Sequence, residues 1–90
     1  MARLTQRKRI REALACIHVG QLVIWYRDSL GLNTPASPAL GSICRVKKID
    51  KTQKDLQVLI RQVDQPTRED WVSVLDLEPC PPHWKAENFA

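Results

Sequence analysis

After Gly20 the apolar side chains fall into a two-residue rhythm, in short runs separated by turn residues, and this rhythm points to a small β fold. In residues 21–26, Leu22, Ile24 and Tyr26 alternate with Val23 and Trp25. All five are aliphatic or aromatic, as a strand with both faces at least partly covered requires. Residues 42–50 repeat the pattern, with Cys44 and Val46 on one face and Ile43 and Arg45 on the other. Alternation slips at Lys47-Lys48, where a bulge is expected. A third strand is expected over residues 56–63 and a fourth over 69–74, separated by polar turns. Residues 75–79 read as one tight helical turn leading to a last short strand or tail, with Leu75 or Leu77 plugging the end of the core. Strict alternation would send Leu22, Ile24, Val46, Val58, Ile60 and Val72 inward and leave Trp25 or Tyr26 at the edge. Strands this short and this closely spaced predict a closed or nearly closed five-stranded barrel.

Before Gly20 the spacing is helical. Ile10, Ala13, Leu14 and Ile17 recur every three or four residues, Thr5 is a suitable cap, and Gly20 is the first glycine or proline after them. Residues 5–18 are therefore predicted to form an amphipathic helix, with Arg3, Arg7 and Arg11 in a stripe on its outer face. The formal charge of +4 belongs to this segment: Arg3, Arg7, Lys8, Arg9 and Arg11 precede Glu12, and the charges beyond it cancel. Three parts result: a basic helix over residues 1–19, a barrel over 20–79, and a tail over 80–90 that carries prolines, Trp84 and Phe89.

Gly20-Gln21-Leu22-Val23, the long loop closing at Gly41, the strand over residues 58–63 and the segment Trp71-Val72-Ser73-Val74-Leu75-Asp76-Leu77-Glu78-Pro79 together resemble the small SH3-like barrel proteins. Over residues 20–79 the likeness is nearest to the small subunit O of the photosynthetic NDH complex. That resemblance implies an accessory subunit held by larger ones, in a cytoplasmic or chloroplast stroma-like compartment. Bacteriophage connector and capsid-decorating proteins use similar barrels, and a protein of that kind would assemble into rings or lattices.

Catalysis is not expected, because His18 and His83 stand in unrelated contexts and Gly20, Gly31 and Gly41 are too dispersed to cradle a phosphate. No cofactor is expected, and neither is a small-molecule substrate. Cys16, Cys44 and Cys80 are an odd number at wide spacing, which fits reduced thiols; Cys80 with His83 is only half of a zinc site, so no metal is expected. The longest apolar run, residues 22–26, is far shorter than the roughly 18 residues of a membrane span.

The residues expected to bind a partner are Arg3, Arg7, Lys8, Arg9 and Arg11 on the helix, Asp28, Leu30 and Leu32 in the long loop, and Trp84 and Phe89 in the tail. The expected role is a noncatalytic adaptor or structural subunit of a larger protein complex. Nucleic acid is the alternative partner, because clustered Arg and Lys can neutralise phosphates. Trp25 or Tyr26 beside the long loop could also border a groove for an extended Pro-rich segment.

Overall fold

A computed structural model describes residues 2–81, with side chains described from Gln6 onward. The helix α1 (Ala2–Ala15) is followed by β1 (Leu22–Trp25), β2 (Ile43–Ile49), β3 (Val58–Gln62), β4 (Glu69–Val72), a 3-10 turn (Val74–Asp76) and β5 (Leu77–Pro79). The strands form one antiparallel sheet in the order β4-β3-β2-β1-β5. The described residues are thus mainly β with a single α-helix. Consecutive strands pair as a meander, and β5 returns to the free side of β1, opposing Leu77 to Trp25 and Pro79 to Val23. The strands at the two ends of the sheet, β4 and β5, are not paired with each other. The sheet is compatible with a small barrel-like fold.

Binary patterning explains most of the core. Cys44 and Val46 of β2, Val58 and Ile60 of β3 and Val72 of β4 are buried together. Lys47-Lys48 does interrupt the alternation: the register of β2 against β3 shifts between Val46 and Lys48. That slip puts Lys48 in solvent while Ile49 remains packed against the core.

The first strand departs from strict alternation. Val23 and Trp25, not Ile24, belong to the core cluster, while Ile24 is half-buried. Trp25 is 1% exposed and is the largest fully buried side chain among the described residues. Burying an indole removes more apolar surface from water than burying an isoleucine, so the strand turns its Trp face inward. Leu22 is buried as expected. Tyr26 is left outside, where its hydroxyl donates to the Leu75 carbonyl at 3.0 Å.

The helix also differs in extent. It begins before Thr5, which lies within it, and it ends at Ala15, before the expected limit at residue 18. Gly20 therefore does not cap the helix. With φ at +93° it turns the chain into β1, donating its N–H to the Val46 carbonyl at 2.8 Å. The buried helical face is as expected: Leu14 is buried and Ile10 and Ala13 pack against the core, joined by Ile17 just past the helix.

The 3-10 turn comes one residue earlier than predicted because Ser73 caps it, its hydroxyl oxygen accepting from the Leu75 N–H at 3.2 Å. The following residues are then free to extend as β5. Leu77 is buried in the core, and Leu75 packs against it from the side.

Candidate functional site

The loop of residues 27–40 has no regular structure, yet it is tightly held. Its main anchor is Asp76 of the 3-10 turn, which is 2% exposed. The Asp76 carboxylate accepts from Arg27 Nε at 2.9 Å, from the Ser29 N–H at 3.1 Å and from the Ser29 hydroxyl at 2.7 Å. Arg27 also donates to the Leu75 carbonyl at 3.2 Å, and its guanidinium lies 5.5 Å from the centre of the Tyr26 ring. The hydrogen bond from Asp76, then the charge of Tyr26, hold the Arg27 pKa above its ordinary value.

Further along, Asp28 closes a local turn, its carboxylate accepting from the N–H groups of Leu32 at 3.0 Å and Asn33 at 2.9 Å. Ser37 is buried and donates to Asp70 of β4 at 2.7 Å. The Ala39 N–H donates to the buried Gln62 side chain at 2.8 Å. Gly41, with φ at +85°, closes the loop by donating to the Trp25 carbonyl at 2.7 Å.

Within this frame the apolar loop residues point outward. Leu30 is 45% exposed, Leu32 43% and Leu40 53%, with Tyr26 beside them at 46%. Leu30 and Leu32 border a slot shared with Trp25, Leu56 and Trp71, but its volume is only about 10 Å³. That is room for about one water molecule, not for an extended Pro-rich segment.

The predicted basic residues fall on a second surface. Arg7, Lys8, Arg9 and Arg11 are all exposed on α1. Arg7 and Arg11 face a cleft whose other wall is the turn between β2 and β3, with Lys51 and Lys54. Arg9 lines the neighbouring cleft with Arg27, Leu30 and Lys54. The turn is braced from two sides. Asp50 accepts from the Thr52 hydroxyl and N–H and from Gln53, bonds that hold its carboxyl below the usual range, Thr52 contributing most. The fully buried Gln57 donates to the Lys54 carbonyl at 2.8 Å and accepts from the Val74 N–H at 3.1 Å.

Of the predicted contact residues, the structure therefore brings Leu30 and Leu32 to one slot and Arg7 and Arg11 to one cleft. Asp28 is engaged within its own loop. The side chain of Arg3, and Trp84 and Phe89 in full, lie outside the described residues. The sequence reading missed Asp76, Lys51 and Lys54. A signal for Asp76 was present: an acidic residue between two leucines, just after a capping serine, is an unusual place for a solvated charge.

Of the three thiols, Cys44 and Cys80 are buried and Cys16 is exposed. Burial pushes the Cys44 thiol up to about 11, away from the thiolate that a nucleophile requires, and burial raises Cys80 as well. Among the described residues no group of three His, Cys, Asp or Glu side chains could hold a metal ion. None of their helices is long and apolar enough to cross a membrane.

No protein-family model matches the sequence, and no similar protein is found among curated proteins or solved structures. The likeness to subunit O of the NDH complex gains no support from these comparisons.

Proposed function

We propose that the chain is a noncatalytic adaptor or structural subunit of a larger protein assembly, gripped mainly through the loop of residues 27–40. The observation that carries this reading is the contrast inside the loop. Its backbone is fixed by Asp76, Asp28, Ser37 and Gln62, while Leu30, Leu32 and Leu40 are displayed to water.

An apolar side chain on a mobile loop loses much of its binding energy when it is ordered. On a loop already fixed, that entropic cost is largely met on folding. Covering the exposed half of each leucine would contribute about 1 kcal/mol apiece. The basic helix supplies a second contact surface, and Trp84 and Phe89 of the tail are proposed as further anchors.

Sedimentation of a native, low-salt extract tests the reading. The chain is expected to travel with an assembly far heavier than its own 10.3 kDa. The double variant Leu30→Ser/Leu32→Ser, still folded because both side chains are exposed, is expected to fall back to the free position. Wild-type chain sedimenting only as a free monomer would overturn the proposal.

A further inference from the structure

The cleft between α1 and the β2–β3 turn has a volume of about 550 Å³. Four cations face it from two elements: Arg7 and Arg11 from the helix, Lys51 and Lys54 from the turn. Both walls are fixed independently of any ligand, the helix by Leu14 in the core and the turn by Asp50 and Gln57. None of the four cations has an acidic partner among the described residues, whose ion pairs are Arg27–Asp76 and Arg61–Glu69. Like charges gathered around one cleft raise its potential, and an anionic ligand relieves that repulsion.

The floor decides which anion fits. Ile10 and Leu14 lie between the charged walls, and among the described residues no aromatic side chain lines the cleft. Single-stranded nucleic acid gains most of its non-electrostatic affinity by stacking bases on aromatic rings, which the described walls of this cleft do not offer. A peptide, in contrast, brings carboxylates and apolar side chains on one backbone. Arg7 and Arg11 are one helical turn apart, about 6 Å along the axis. Two carboxylates one turn apart on a partner helix match that spacing.

We infer that this cleft receives an acidic, amphipathic peptide segment of a partner protein. Its carboxylates pair with Arg7 and Arg11 on one wall and with Lys51 and Lys54 on the other, and an apolar side chain between them rests on Ile10 and Leu14. The inference rests on the adaptor reading and gives the chemistry of one partner segment.

The test pans a displayed library of random dodecapeptides on the full chain, with the double variant Arg11→Glu/Lys54→Glu as counter-selection. Both residues are exposed, so the variant keeps the fold; a matching circular dichroism spectrum checks this. Enriched peptides are expected to carry net negative charge and a bulky apolar residue. Fluorescence anisotropy should show the best of them binding at least about tenfold more weakly to the double variant. Leu30→Ser/Leu32→Ser should leave that affinity unchanged.

Enrichment of neutral or basic peptides, or equal binding by the charge-reversed variant, would overturn the inference. So would oligothymidine binding the cleft more tightly than every selected peptide, since the site would then belong to nucleic acid. The adaptor reading fails separately: a chain that binds acidic peptides but never sediments with an assembly sinks that reading and leaves the cleft's chemistry standing. Co-sedimentation without acidic enrichment does the reverse.

Discussion

The loop of residues 27–40 and the helix α1 both lie outside the paired strands, yet they are held on opposite physical terms. The loop is fixed by directional bonds: a buried carboxylate, two buried amide side chains and a buried hydroxyl hold it to the 3-10 turn and the sheet or, with Gln57, hold the turn behind it. The helix is fixed by apolar contact, through Leu14 with Ile10 and Ala13. Among the described residues no ion pair joins it to the sheet. Hydrogen bonds specify where each loop atom sits, so exposed leucines can be presented at set positions. Burial is non-directional, so it holds the helix while leaving its charged face unengaged.

The largest expected effect breaks the helical side of this comparison. Leu14→Ala removes the buried anchor of α1 and should lower global stability by about 3 kcal/mol, read from urea unfolding. If instead the helical signal disappears while the unfolding midpoint of the sheet stays put, the helix is a separable appendage. The cleft it forms with the β2–β3 turn would then be lost without loss of the fold.

On the loop side, Asp76→Asn keeps the shape of the side chain but turns one acceptor oxygen into an N–H₂ group facing donors. At least one bond from Arg27 or Ser29 is lost, and charge assistance is lost from all of them. The expected cost is about 2 kcal/mol. Hydrogen exchange should show the Ser29 amide losing protection while amides of β2 and β3 keep theirs. Uniform loss across the sheet would mean that Asp76 supports the core rather than the loop.

The two regions were also unequally legible in the sequence. Burial repeats with a period, so the strands, the bulge at Lys47-Lys48 and the inner face of the helix could all be read from spacing. Where periodicity met a competing size term, the inward position expected for Ile24 failed, because alternation says nothing about which face has room for the indole of Trp25. The limits of α1 failed for another reason: Thr5 is an equally good residue for a cap and for an exposed helical position in a chain whose helix starts earlier. The loop's bonds have no period. Asp76 meets Ser29 only because β5 returns to β1, and Ser37 meets Asp70 although β4 lies at the far end of the strand order. Lys51 and Lys54 were visible as a polar turn, but their approach to Arg7 and Arg11 depends on how the helix packs.

The smallest expected effect separates two roles for Asp28, which was expected to meet a partner and which the structure engages in a turn. Its bonds to the Leu32 and Asn33 amides are local and solvent-exposed, so they set the shape of the loop more than its attachment. Asp28→Ala removes both acceptors and should cost about 1 kcal/mol, with Leu32 losing its fixed position. Asp28→Asn keeps one of the two acceptor oxygens, so one of the two bonds survives, and it should cost about half as much while removing the charge. If the turn is what matters, the Asn variant sediments with the assembly better than the Ala variant does. If Asp28 instead contacts a cation on the partner, both variants weaken alike, and the exposed leucines would no longer suffice to explain how the loop is gripped.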